Sequence, residues 1–574
     1  MNDSELIDQI SEIIISVNAT SMKDMGKVMG IATKMYLTKV KLNVRGDAFF
    51  PNWDESVLIG SIGKFWESAE KATAKHDDIF IANWLGWSVG CDWTSGEKRQ
   101  YLELASEIYQ EDFHYILLIG VGGSSVGARA IASLGEDRPK FIFVDSVVPS
   151  VVEKILAEVG SQKTLLVISS KSGTTLETIT LANHFLGELG DSRESLKGKK
   201  NVIAITDPGT FLEKLAIKQN FRSIINGKPD IGGRFSELSS FGLFPALLNK
   251  TDISAVIDSA NEMASLCRTV ILEENPAIPL VEFLLQNLRH GRDKLYVYLP
   301  ESLNNFAMWL EQLLSESLGK DGVGIVPIVG NSNLVSPSVD VCSVMYQDLS
   351  MEDASAQILR QSFEDNAIPI FNIEVDKPES LGGEFFKWKM SVVLMASSMN
   401  INPFDQPQVQ SSKDKTGEIL DYFTNHGKLP PTCSTLTLPE WTTQIKNDSY
   451  IAVLPFLQIE DEDQDLLFDL ASRMRRLTKR HVTLAKGPSY LHSTGQMHKG
   501  GPVSGMYLQL SSDNVGEIPI EGEKYGFSTL LAAQADGDME SLVSLNRPVC
   551  RVNLGSDITQ GLNNLIAQFE TLYE

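Results

Sequence analysis

The 574-residue chain has few cysteines, few histidines and no long apolar run. Its five cysteines, Cys91, Cys267, Cys342, Cys433 and Cys550, are odd in number and scattered, never as CxxC and never beside a histidine at ligand spacing. That excludes a disulfide framework and a structural zinc site, and marks them as reduced core thiols. No stretch approaches the roughly 18 apolar residues of a membrane span. The opening Met-Asn-Asp-Ser-Glu is acidic where a signal peptide would be basic, so a cytoplasmic protein with no membrane partner is expected. Positive charge is short as well: 50 Lys and Arg face 74 Asp and Glu, a net −24 that disfavours nucleic acid as a partner. No internal repeat appears, which removes solenoids and propellers.

What is there has the composition of a soluble globular protein, 43% hydrophobic and 22% charged. At roughly 150 residues per domain the length calls for several packed units. Residues 1–105 read as a helical extension, with Ile10, Ile13, Ile14 and Val17 on one helical face and no strand pattern. From Tyr115 onward short continuous apolar runs (YILLIG, FIFVD, TLLVIS, VIAIT) alternate with helical stretches, the signature of buried parallel strands in a doubly wound α/β unit over 106–275. A second α/β unit, 276–440, begins with strand KLYVYL at Lys294 and a helix over Asn304–Leu318, and closes with an amphipathic stretch Glu384–Met399. Residues 402–441, dense in Pro, Ser, Lys, Asp and Gln, read as a loop-rich wrap. A smaller C-terminal α/β subdomain follows over 441–574. In such sheets ligands lie beyond the carboxyl ends of the strands.

Two turns at those ends carry chemistry. Gly120-Val-Gly122-Gly123-Ser124-Ser125-Val-Gly127 stands where a strand becomes a helix, so backbone N–H groups and the positive helix end can hold a phosphate. A dinucleotide site, with Asp145 in the ribose-binding place, and a plain tight turn compete with that reading; the G-x-G-x-x-G register fails at Ser125. The next strand delivers Ser169-Ser170-Lys171-Ser172-Gly173-Thr174-Thr175-Leu176-Glu177, with more hydroxyls than a helix cap needs and a lysine to neutralise charge. Two such turns on neighbouring strands suit one monophosphate, as in a phosphosugar-binding domain.

Further on, Arg234 follows two glycines in GGRFS, which lets a guanidinium be aimed closely at an anion; a surface ion pair is the competing reading. Glu316, in ESLGK, stands one turn before a glycine stop, and its position at the negative helix end favours a proton acceptor. An exposed last-turn glutamate beside Lys320 fits the same spacing.

GVGGSSVG, SSKSGTTLET, GGRFS, ESLGK and NPFDQ…K, in this order, resemble the glucose-6-phosphate isomerase family, and the later HSTGQMHKGGP is similar to the isomerase half of bifunctional transaldolase/glucose-6-phosphate isomerase proteins. The resemblance runs from about residue 80 to the C-terminus. It implies two phosphosugar-binding (SIS-type) parallel-sheet domains, a homodimer, no cofactor and no metal. It also implies interconversion of glucose 6-phosphate and fructose 6-phosphate through ring opening and a cis-enediolate. By position in the motifs, Ser124, Ser170, Lys171, Ser172 and Thr175 would bind the phosphate and Gly123 would allow its close approach. Glu316 would shuttle the proton between C1 and C2, and Arg234 would stabilise the enediolate. Gln406 would contact substrate and Lys413 would act in ring opening.

The common family pattern has a histidine between the ESxGK and FDQ motifs, yet this chain has none from Leu318 to Gln406. His498, in a Gly-rich stretch too polar for a core, is therefore expected to assist ring opening, with His492 as its rival. A dual phosphoglucose/phosphomannose isomerase is an alternative, slightly favoured by Ser315 and Ser317 beside Glu316. A non-catalytic sugar-phosphate sensor is another, opposed by the retention of Glu316, Arg234 and Lys413 together. Residues Asn18–Gly30 resemble the tail domain of tRNA-dependent amidotransferase B subunits, against a plain helical extension or dimer clasp.

Overall fold

A computed structural model describes residues 60–66, 84–89, 93–136, 139–189, 199–329, 336–349, 353–458, 461–513 and 516–573. The N-terminal helical face at Ile10–Val17 and the tail-domain resemblance lie outside the described residues.

Every sheet in the described chain is parallel. The first has five strands, β1 (Tyr115–Ile119), β2 (Lys140–Val144), β3 (Thr164–Ser169), β4 (Lys199–Thr206) and β5 (Phe221–Asn226), in the order β2-β1-β3-β4-β5. The second orders β6 (Lys294–Tyr298), β7 (Val326–Val329), β8 (Val341–Asp348) and β9 (Ile370–Val375) as β7-β6-β8-β9. The third orders β10 (Tyr450–Phe456), β11 (His481–Leu484), β12 (Gly505–Ser511) and β13 (Val549–Asn553) as β11-β10-β12-β13. This is the expected multi-unit α/β architecture: β3 and β10 are buried along their whole length, which is why they read as unbroken apolar runs.

Eight helices bear on the site: α1 (Ser95–Gln110), α2 (Val126–Ala132), α3 (Leu176–Leu189), α4 (Phe306–Leu318), α5 (Leu381–Met399), α6 (Pro407–His426), α7 (Gly495–Gly500) and α8 (Phe527–Ser544). α1 starts from a reciprocal Thr94–Glu97 capping box. One hydrophobic core runs from Ile62, Trp66 and Trp87 through the first sheet and α4 to Phe404, so the first two sheets share an interior. A second core packs Leu117, Ile168 and Phe185 against Ile419 of α6 and Phe527 and Leu530 of α8. Helix α8 thus packs over the first sheet.

Three sequence expectations need correction. The loop-rich wrap over 402–441 is largely the 20-residue helix α6, started by Pro407 and stopped by Gly427 at φ 69°. Only Val409, Ser412, Thr416, Ile419 and Leu420 of α6 are buried, too few apolar residues to show a period. α5 was expected to be amphipathic, but it is buried almost all round, with Glu384 and Lys387 paired 2.6 Å apart and Lys389 paired to Glu237. His498 lies not on a polar loop but on α7, 2% exposed. Cys267, Cys342 and Cys550 are free and buried, while Cys433 is part-exposed; no helix among the described residues is long and apolar enough to cross a membrane.

Candidate active site

At the carboxyl end of β1 the chain turns through Gly122, Gly123 and Ser124 into α2. Gly122 has φ 56°, a left-handed conformation that glycine adopts without strain. A Cβ on Gly123 would stand 2.3 Å from the Gly233 carbonyl oxygen, so only glycine lets the first turn meet the GGRFS segment. Ser169 Oγ at the end of β3 donates to the Ser124 carbonyl at 3.0 Å, tying the two hydroxyl-rich turns together. In the second turn the Gly173 N–H donates to Ser170 Oγ at 3.1 Å, and the hydroxyls of Ser170 and Ser172 lie 3.3 and 3.4 Å from Thr175 Oγ1. These hydroxyls converge at the start of α3, where the helix dipole favours an anion.

Lys171 departs from its expected place. Its ammonium is 2.5 Å from Asp207 Oδ2 and donates to the Lys228 carbonyl at 2.6 Å, away from the hydroxyl cluster. Burial lowers its pKa despite Asp207, and burial raises the Asp207 carboxyl.

Arg234, 4% exposed, is the hub. Its Nη1 donates to Glu316 Oε2 at 2.7 Å and to Gln406 Oε1 at 2.8 Å, and its Nη2 donates to the carbonyls of Pro403 and Asp405 at 2.8 and 2.9 Å. One guanidinium therefore joins the GGRFS, ESLGK and FDQ segments. The surface ion pair and the exposed last-turn glutamate are both excluded, since Glu316 is 4% exposed. Beneath the hub, Glu237 and Lys389 pair at 2.6 Å in full burial, and Trp309 Nε1 donates to both Glu237 Oε2 and the Arg234 carbonyl. Lys320 donates to the carbonyls of Ser317 and Asn402, clamping the end of α4 to the FDQ loop. Burial, helped by the Arg234 charge and opposed by Asp405, brings the Lys320 ammonium down to about 7.

The two histidines part company. His492 Nε2 lies 2.9 Å from Glu177 Oε1, and the His492 backbone and Cβ press on Gly122 of the first turn. Gln534 on α8 donates to the same Glu177 oxygen at 2.7 Å. Burial works against ionisation of Glu177, but His492 outweighs it and holds the carboxyl down at about 2. Lys413, exposed on the second turn of α6, adds to that field. His498 instead sits between the Tyr490 and Tyr507 rings with Nδ1 unpartnered, and burial plus the Lys499 and Arg547 charges hold its pKa well below the ordinary histidine value. The structure thus brings Gly123, Ser124, Ser170, Ser172, Thr175, Arg234, Glu316 and Gln406 into one region and leaves His498 behind it.

Sequence reasoning gave no role to Glu177, Gln312 or Gln534. Glu177 stands in the SSKSGTTLET segment itself, where a glutamate inside the first turn of a helix following hydroxyls was the available signal. Gln312 lies one helical turn before Glu316, with Nε2 3.4 Å from its carboxylate. Nothing marks Gln534.

A parallel α/β sheet whose neighbouring strands end in hydroxyl-rich turns, with a buried carboxylate and arginine beside them, defines a phosphosugar-binding protein class. Residues 108–332 match the phosphoglucose isomerase family. The probable glucose-6-phosphate isomerase of Methanococcus maripaludis is 31% identical over 62% of this chain and 89% of its own length. The glucose-6-phosphate isomerase of Methanocaldococcus jannaschii is 27% identical over 52% and 83%. Among solved structures, a glucose-6-phosphate isomerase from Chlamydia trachomatis superposes with a TM-score of 0.50 at 19% identity, over 69% of this chain and 86% of its own. A hypothetical protein from Thermus thermophilus gives 0.53 at 22%, over 63% and 96%, and both share the fold. The chain belongs to the phosphoglucose isomerase family.

Proposed function

We propose that the protein is a glucose-6-phosphate isomerase whose phosphate seat is the pair of turns at Gly123–Ser124 and Ser170–Thr175. The observation that carries the reading is the Arg234 guanidinium, bonded at once to the Glu316 carboxylate and to Gln406 beside those turns. With the open-chain aldose phosphate seated there, the Glu316 carboxylate takes the C2 proton. The electron pair moves toward O1, giving a cis-enediolate; the O2 hydroxyl proton passes to O1, and as the C2–O2 carbonyl forms Glu316 returns its proton to C1 to yield the ketose. Arg234 faces the charge that develops on the enediolate oxygens, a stabilisation preorganised by its buried hydrogen bonds. His492, oriented by Glu177, is assigned to ring opening in place of His498, as general acid to the ring oxygen. Lys413 approaches the same pair from α6. Lys171 serves through its pairing with Asp207, fixing the loop that carries Ser170 and Ser172.

The test is a coupled assay for glucose 6-phosphate formed from fructose 6-phosphate. The parent turns over, and Glu316→Gln loses about 10²–10⁴ in kcat, the contribution of a positioned base, with little change in KM. A parent that binds sugar phosphate without turning it over overturns the reading.

A further inference from the structure

The third sheet has its own ligand-binding geometry. The chain leaves β10 toward β11 on one side and leaves β12 toward β13 on the other, so the connections diverge between β10 and β12. In open parallel sheets that divergence opens a crevice beyond the strand carboxyl ends. A groove of about 540 Å³ lies there, lined by Phe456 at the end of β10 and Gln458 beyond it, Ser511 at the end of β12 with Ser512 and Asp513 beyond it, and Arg551 and Asn553 of β13. Residues of α8 and the segment around Cys433 close its sides. The volume falls in the range of small-molecule sites.

The lining selects the ligand class. The catalytic turns offer glycines and clustered hydroxyls; here the residues after β10 and β12 run Leu-Gln-Ile-Glu-Asp and Ser-Asp-Asn-Val-Gly-Glu, with one hydroxyl and four carboxylates between them. Among the described residues Arg551 is the one cation of the lining, and it is already paired with Asp536, while Asp513 adds a further carboxylate. An anion is therefore disfavoured. The Asn553 amide donates to Asp513 Oδ1 at 3.0 Å, and Arg551 Nε lies 3.4 Å from Ser511 Oγ, an array of alternating donors and acceptors. Phe456, Leu531 and Ala532 give it an apolar floor suited to the C–H face of a sugar ring.

We propose that this groove is a second ligand site, separate from the isomerase centre, for an uncharged polyhydroxylated molecule of monosaccharide size. A ligand there rests on α8, whose Leu531 and Ala535 face the groove while Gln534 reaches Glu177 of the histidine pair. The proposal stands on the third sheet alone and does not require the isomerase reading.

The experiment is saturation-transfer NMR of the full chain with D-glucose, D-fructose and D-mannitol, each titrated with glucose 6-phosphate present at saturation. In parallel, alkylation of part-exposed Cys433 by iodoacetamide is followed by peptide mass. At least one of the three binds saturably at millimolar concentration and slows Cys433 alkylation. Ala532→Trp, which fills the groove, and Asn553→Ala each weaken it about tenfold, roughly 1.4 kcal/mol, with the urea unfolding midpoint unchanged as evidence of folding. Absence of saturable binding by all three overturns the proposal. Displacement by glucose 6-phosphate, indifference to Ala532→Trp, or tighter binding of inorganic phosphate at Cys433 does so equally.

Discussion

The Arg234 guanidinium lies 2.7 Å from the Glu316 carboxylate in a pocket that seals both side chains from solvent, and its second nitrogen holds two carbonyls of the FDQ loop. A lysine keeps the charge but cannot span four oxygens with one planar fork. Arg234→Lys is expected to lower kcat by about 10²-fold or more, the scale of losing one preorganised stabilising donor. KM rises too, because the FDQ loop carrying Gln406 loses its anchor. Steady-state kinetics on the variant check both.

The two histidines give opposite outcomes. His492→Ala removes the group held by Glu177 and cuts turnover by about 10²-fold. His498→Ala leaves turnover within a few-fold but empties a site between two tyrosine rings, costing about 2 kcal/mol in denaturant unfolding. If His498→Ala instead abolishes turnover in a fully folded protein, the assignment to His492 fails.

Glu237 and Lys389 form a fully buried pair that also holds the Trp309 indole. Lys389→Met strands a buried carboxylate and is expected to destabilise by about 3–5 kcal/mol. Glu237→Gln with Lys389→Met removes both charges and recovers part of that loss. Urea titration of the three proteins measures it.

Glu311 on α4 is half-buried and accepts from Ser493 Oγ; burial raises its carboxyl to about 7, against that opposing hydrogen bond. Its folded value stands above the unfolded 4.5, so it contributes stability in full below pH 4.5 and loses it as pH climbs through about 7. Glu311→Gln should therefore flatten the stability profile between those values. The expected gain relative to the parent above pH 7 is about 2 kcal/mol, below the full value of the shift because the side chain is not wholly sealed.

The parallel strands were legible because burial on both faces forces continuous apolar runs, as in Thr164–Ser169. β8 was harder to see because Cys342, Ser343 and Gln347 break its run, although its first six residues are buried. α6 hid behind its polar exposed face. The motifs marked Arg234, Glu316 and Gln406 as separate points, and the guanidinium that unites them belongs to tertiary structure alone. The polar loop expected around His498 has the same root: spacing within a motif cannot say that the segment folds into the buried helix α7. The charge of Lys171 suits a phosphate, but its pairing with Asp207, just past the end of β4, is invisible in the sequence.

The bond from Gln534 to Glu177 spans 357 residues of sequence. On a ribosome adding about 5–20 residues per second, Glu177 waits roughly 20–70 s for its second partner. The first sheet, with its phosphate-type turns already shaped, emerges well before α8 can roof it. The bond that steadies the histidine pair is thus among the later contacts this chain makes during synthesis, and a truncation that spares every motif but removes α8 leaves that pair without its Gln534 partner.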